Sequence, residues 1–180
     1  MKRGTGVPRR ILIVDGYNVI NVRKPVRESR GLEDARRALT DRLHDYAGWS
    51  GQSIVLVYDA WLSDRRQRSI EERGPLKVVF TMKGETADCY IERLCDELAE
   101  DVELRRVEMR VATSDLVEQT IAFGRGAVRL SSRELLLEMD RAVSERGGRA
   151  SSAGPRSVSV AERLPVDVRA RLEEMRRGEY

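Results

Sequence analysis

Strand-like runs that lead into an acidic residue recur along the chain. The first run, residues 11–14, reads Ile-Leu-Ile-Val and stops at Asp15, which Gly16 follows. A continuous apolar run suits a strand that is buried on both faces, as in a parallel sheet. Comparable runs lead into the aspartates Asp59, Asp88 and Asp115. Because parallel strands end at the same edge of a sheet, the pattern predicts that these carboxylates lie together at that edge.

Segments with helical periodicity separate the predicted strands. Apolar residues recur at helical spacing between positions 32 and 46 and again after Thr86, which is a suitable N-cap. Ser131 and Glu134 have the spacing of a capping box, ahead of a helix predicted to reach about Val143. This alternation predicts an α/β fold: a three-layer α/β/α sandwich with a central, mainly parallel, five-stranded sheet.

Composition shifts predict the domain organisation. We expect a flexible leader over residues 1–10, one α/β domain over 11–143, a linker rich in Gly, Ser and Arg over 144–160, and a charged helix over 161–180. The polar, basic segment 61–74 follows Asp59 and so lies at the mouth of the predicted site. It is either a phosphate-binding element or a solvated surface.

Charge and cysteine usage narrow the classes of function. The chain has 180 residues and a net charge of +3, and nearly all of its basic residues are arginines. Arginine suits bidentate phosphate contacts, but a genome rich in guanine and cytosine explains the bias equally well. One histidine and two cysteines leave little room for histidine triads, zinc sites or a disulfide framework. With no apolar membrane span and no signal core, we expect a cytoplasmic location without membrane association.

The predicted carboxylate cluster points to metal-dependent chemistry. Acidic groups packed together must bind protons or a cation, and oxygen-only ligands favour Mg²⁺ or Mn²⁺. Such a cluster can activate water and neutralise charge on a phosphoryl oxygen, as in nucleases and phosphatases. The number of metal ions, one or two, stays open, and Asp115 alone can also be interpreted as a helix cap. Neither a P-loop nor a glycine-rich dinucleotide motif is present.

Five motifs in series resemble the YacP-like branch of the NYN domain family, whose fold resembles that of PIN-domain nucleases. They match in order from about Ile11 to Met139: DGYN at 15–18, DA at 59–60, ETAD at 85–88, TSD at 113–115, and FGRGA at 123–127 with the residues that follow it. The resemblance implies an endoribonuclease that depends on Mg²⁺ or Mn²⁺. It also implies association with the ribosome and cleavage of messenger RNA during translation.

The resemblance also implies roles for individual residues. Asp15 and Asp88 would be the principal metal-binding catalytic carboxylates, and Asp115 and Asp59 would complete the acidic pocket. Asn18 would orient Asp15 or a water, and Glu85 would act as a direct or indirect metal ligand. We expect phosphate contacts from the arginines Arg65, Arg66, Arg68, Arg129 and Arg133.

Departures from the family pattern leave these carboxylates in place. Cys89 follows Asp88 where a charged residue is expected, and Trp61 follows the DA motif. The tail linker is unusually rich in Arg and Ser, which puts a role of the tail in ribosome docking in doubt.

One alternative function is a non-catalytic RNA- or ribosome-binding module on a PIN-like fold. A small-molecule phosphohydrolase ranks last, because Asp15 lacks the second aspartate two positions on. RNA sequence preference and oligomeric state stay open.

Overall fold

The computed structural model of the chain describes residues 7–22, 31–59, 66–114 and 124–152. Its strands and helices, numbered here in chain order, are β1 (Arg9–Asp15), α1 (Gly16–Val22), α2 (Leu32–Ser50), β2 (Ser53–Tyr58), β3 (Ser69–Arg73), β4 (Leu76–Phe80), α3 (Ala87–Glu103), β5 (Val107–Ala112), β6 (Val128–Leu130) and α4 (Ser132–Ser152). None of the helices within these ranges is both long and apolar enough to cross a membrane.

The strands form one sheet in the order β3-β4-β2-β1-β5-β6. All neighbouring pairs are parallel except β3 and β4, which are antiparallel. The predicted mainly parallel α/β fold is confirmed, with six strands in place of five. The additional strand, β3, lies within the basic segment and has exposed residues at four of its five positions. It therefore lacks the apolar run by which a strand is recognised in a sequence.

Helices cover both faces of the sheet, as the sandwich prediction requires. On one face, Leu12, Val14 and Leu56 pack in a core that includes apolar residues of α1, α2 and α4. On the other face, Ile13 and Val57 pack against α3. The strands thus direct apolar side chains into two cores, which explains the unbroken apolar run at residues 11–14 of β1.

The register brings the ends of the central strands together. Asp15, the last residue of β1, pairs with Val57 of β2, and Val14 pairs with Ala112 of β5. The residues that follow β2 and β5 therefore lie at the same edge as Asp15, as the sequence predicted.

Several predicted boundaries differ from those in the structure. Strand β1 begins at Arg9, inside the predicted leader. Helix α4 continues to Ser152, so the first part of the predicted linker is helical. Once a helix is nucleated each further residue adds a hydrogen bond, and two glycines need not end it. The chain divides into two units, and the boundary along the sequence falls between Ala142 and Val143. The rest of the predicted linker and the C-terminal helix predicted over 161–180 lie outside the described residues.

Candidate functional site

Asp15 is held in one orientation by Asn18. The Asn18 backbone amide donates to Asp15 Oδ1 at 3.0 Å, and the Asn18 side-chain Nδ2 donates to Asp15 Oδ2 at 2.9 Å. The first bond is the kind that an N-cap carboxylate makes to the start of a helix, here α1. Asp15 is only 6% exposed, so both of its oxygens are fixed at the edge of the sheet.

Thr113 joins this arrangement from the neighbouring strand. Asn18 Nδ2 also donates to Thr113 Oγ1 at 3.2 Å, and the Thr113 amide donates to the carbonyl of Leu130 at 3.2 Å. Thr113 is fully buried directly after β5. Its hydroxyl thus connects the ends of β1 and β5, a role that we did not predict. The only signal was its place in the TSD motif.

The turn from β1 into α1 depends on close contact between Gly16 and Tyr58. A Cβ atom added at Gly16 would lie 2.5 Å from Cδ1 of the Tyr58 ring and closer still to Cε1. Tyr58 is fully buried at the end of β2, and burial raises its pKa to about 12. Only glycine allows the backbone beside Asp15 to approach this ring.

Asp59 and Asp88 follow elements that meet at the edge of the sheet where Asp15 lies. Val57, the partner of Asp15, packs in the same core as Ala87, the first residue of α3. Asp59 is two residues beyond Val57 and is half-buried, and Asp88 is exposed in the first turn of α3. The Thr86 hydroxyl accepts a hydrogen bond from the Cys89 amide at 3.2 Å, which confirms the predicted N-cap.

Glu85 is engaged by two arginines. Arg68 donates to both of its carboxylate oxygens, from Nε and Nη2, each at 2.6 Å, and Arg93 Nη2 lies 2.9 Å from Oε1. The hydrogen bonds from Arg68 hold the pKa of Glu85 below its usual range, although burial opposes them. Glu85 is therefore a charged carboxylate whose oxygens already have cationic partners. Its predicted role as a metal ligand stays a prediction that competes with this ion pair.

The arginines predicted for phosphate contacts fall into different environments. Arg66 is exposed, and Arg68 binds Glu85 and lies with its Cζ 5.3 Å from the Tyr90 ring centroid. Arg129 is exposed on β6 opposite Val111, which places it on the α3 side of the sheet, and Arg133 is exposed in the first turn of α4. Arg65 and Asp115 lie outside the described residues.

The donor chemistry of this edge fits a hard cation. The residues gathered there offer carboxylate, amide and hydroxyl oxygens, which are the ligands that Mg²⁺ and Mn²⁺ prefer. Within the part of the chain that the structure describes, no group of three or more His, Cys, Asp or Glu side chains is placed to hold a metal ion. Asp15, Asp59 and Asp88 thus share an edge, but they do not by themselves form a closed ligand cage.

Comparisons with known proteins agree with one another. The family described as the YacP-like NYN domain matches residues 12–177. The chain is 33% identical to YacP of Bacillus subtilis (strain 168) over 174 residues, which cover 94% of this chain and 98% of that protein. The crystal structure of Rae1 (YacP) from B. subtilis superposes with a TM-score of 0.62 at 32% identity, covering 94% of this chain and 95% of the other. Its W164L mutant gives a TM-score of 0.64 at 32% identity, covering 92% and 99%.

Proposed function

Because the chain belongs to the YacP-like NYN domain family, we propose that it is a metal-dependent endoribonuclease of the cytoplasm. The family supports a PIN-like, nuclease-type fold and implies RNA as the substrate. The finer proposal is that the enzyme cleaves phosphodiester bonds of messenger RNA on the ribosome, and that it requires Mg²⁺ or Mn²⁺.

One observation carries this proposal. Asp15 is buried at the end of a central parallel strand, and two hydrogen bonds from Asn18 fix its carboxylate. A carboxylate fixed in this way is ready to bind a cation without the cost of ordering its side chain. Asp59 and Asp88 at the same edge add negative charge that a cation would neutralise.

The roles proposed for the residues combine the family membership with the positions of those that the structure describes. Asp15, Asp88 and Asp115 would hold the metal, and Asp59 would complete the acidic pocket. Asn18 positions Asp15, and Thr113 positions Asn18. When bound, the metal would supply an activated water and would neutralise charge on the phosphoryl oxygen. Arg66, Arg129 and Arg133 would contact phosphates along the RNA strand.

The test compares the wild-type chain with Asp15→Asn on a translated messenger RNA. Cleavage is mapped on ribosomes and on free RNA, with Mg²⁺, with Mn²⁺ and with chelator. We expect cuts that disappear in Asp15→Asn and with chelator, since both remove the metal site. The matched control is Asp41→Asn, which changes an exposed aspartate of α2 and should leave cleavage intact.

The remaining outcomes select between functions. Full cleavage by Asp15→Asn would overturn the role of this carboxylate. An absence of metal-dependent cuts in every setting, with ribosome binding retained, would favour the non-catalytic binding module. Cuts on ribosomes but not on free RNA would show that the ribosome presents the substrate.

A further inference from the structure

Arg36 stands out among the arginines of α2. Its Nε atom is buried, and no hydrogen-bond acceptor among the described residues reaches it. The described carboxylates likewise form no ion pair with its guanidinium. Arg36 as a residue is half-buried, and a buried N–H without an acceptor loses its hydration without compensation. Within the described part of the chain, this donor is therefore available to an anion.

The backbone around Arg36 is anchored to the end of the sheet. Its carbonyl oxygen accepts hydrogen bonds from the Tyr58 hydroxyl at 3.1 Å and from the Thr40 hydroxyl at 2.8 Å. Its guanidinium lies over Phe80, with Cζ 5.9 Å from the ring centroid. Because Tyr58 and Phe80 end β2 and β4, Arg36 is located at the same edge of the sheet as Asp15.

Aromatic rings connect Arg36 with the turn that carries Asp15. The Phe80 ring stacks on Tyr58 with centroids 5.4 Å apart, and Tyr17 lies 5.3 Å from Tyr58. Tyr58 in turn contacts Gly16, the residue after Asp15. The ring cluster is continuous with the site but lies on the opposite face of the sheet from α3. Tyr17 and Phe80 are each partly exposed there.

We propose that Arg36 binds a phosphate of the RNA strand beside the scissile position, on the α1–α2 side of Asp15. The inference rests on the proposed function, whose substrate it extends across the sheet edge. The planar guanidinium suits bidentate contact with a phosphate. The partly exposed rings of Tyr17 and Phe80 beside it offer apolar surface to the neighbouring nucleotide.

The test measures binding of a labelled single-stranded oligoribonucleotide of about 12 nucleotides to the full chain in chelator. We expect Arg36→Gln to weaken binding about tenfold and to reduce the slope of log K against log salt by about 0.7. Arg36→Lys, which keeps the charge, should recover part of the affinity. The matched control is Arg37→Gln, an exposed neighbour on the same helix, with an expected change below about twofold.

Each outcome decides the question. Equal losses in Arg36→Gln and Arg37→Gln, or no loss in Arg36→Gln, would overturn the phosphate contact. If Arg36→Gln does not fold, as judged by its thermal melt, Arg36→Lys decides. A folded Lys variant with the affinity, salt slope and RNA dissociation rate of the wild type would show that Arg36 acts only as a positive charge. That result would overturn the specific contact.

Failure of the inference is distinguishable from failure of the proposed function. Cleavage that is lost in Asp15→Asn, together with unchanged RNA binding by Arg36→Gln, would leave the nuclease and remove the subsite. Weakened binding by Arg36→Gln without any cleavage by the wild type would leave an RNA site on a protein that is not a nuclease.

Discussion

At the scale of single residues, the position of Asp15 depends on two small neighbours, Gly16 and Thr113. Gly16 leaves space for the Tyr58 ring, and Thr113 supplies one hydroxyl. Both residues belong to sequence motifs, but the contacts themselves could not be predicted, because each joins residues far apart along the chain. Asp15 and Asn18 were predictable, since they follow an apolar run and belong to a motif.

Gly16→Ala should destabilise the fold. The added methyl group overlaps the Tyr58 ring, so either the ring or α1 must shift. We expect a loss of about 1–3 kcal/mol in the free energy of unfolding, as for other overpacked sites, measured by urea denaturation. Gly48→Ala is the control: no atom lies within 4 Å of its added Cβ, and it should raise stability by about 0.5–1 kcal/mol. Equal stability of Gly16→Ala and wild type would contradict the packing argument.

At the scale of elements, the ion pairs of Glu85 with Arg68 and Arg93 connect the start of β3 with α3. Arg68 directly precedes β3, whereas Arg93 lies within α3. The segment 61–74 was predicted as a phosphate-binding element or a solvated surface, with Arg68 as a phosphate contact, and the structure gives Arg68 a carboxylate partner 17 positions away. Such a pairing depends on the fold of β4 between them, so local patterns could not reveal it.

Glu85→Gln should loosen this connection. The amide cannot accept two charge-assisted hydrogen bonds from Arg68 as well as the contact from Arg93, so we expect a loss of about 2 kcal/mol in the free energy of unfolding. Hydrogen exchange should rise in β3 and at the start of α3. The matched control is Glu72→Gln, whose exposed pair with Lys77 should contribute less than about 0.5 kcal/mol. A uniform rise in hydrogen exchange across the sheet would argue against a local stabilisation of β3 and α3 by Glu85.

At the scale of the whole molecule, a half-buried ion pair and a tyrosine hydrogen bond connect three elements. Arg110 of β5 donates to both oxygens of Glu138 in α4, at 3.2 and 2.7 Å, and Tyr46 of α2 donates to Glu138 Oε2 at 2.7 Å. Burial raises the pKa of Glu138, but the hydrogen bonds from Arg110 and Tyr46 outweigh it and leave the pKa below its usual range.

Stability should therefore fall in acid. A carboxyl group whose pKa is depressed by folding adds stability above its unfolded pKa of about 4.3, and this contribution is lost as the pH falls through the folded pKa. Urea denaturation between pH 7 and pH 3 should show a decline for the wild type that is shallower for Glu138→Gln. Glu108→Gln, at an exposed position of β5, is the control and should keep the wild-type slope. Parallel curves for Glu138→Gln and wild type would contradict this prediction.

The central strands of the fold were more predictable than its edge strand and the end of its last helix. Strand-like runs identified β1, β2, β4 and β5, because central strands that bury side chains on both faces are rich in apolar residues. The edge strand β3 left no apolar signal, since four of its five positions are exposed, and the extension of α4 has the Gly, Ser and Arg composition that predicted a linker. The candidate carboxylates followed from strand ends, whereas the arginine partner of Glu85 and the position of Arg36 depend on tertiary packing.

The central place of β1 has a consequence for synthesis. Its two partners are β2 and β5. This central strand is therefore synthesised first, but its second partner is synthesised much later. At the usual rate of translation, roughly 3 to 11 s separate the synthesis of Tyr58 from that of Ala112. If β1 pairs with β2 as soon as both are made, the edge of β1 that later pairs with β5 stays open during that interval, beside the apolar residues 11–14. Chaperones that bind such edges therefore have a defined window in which to act on this protein.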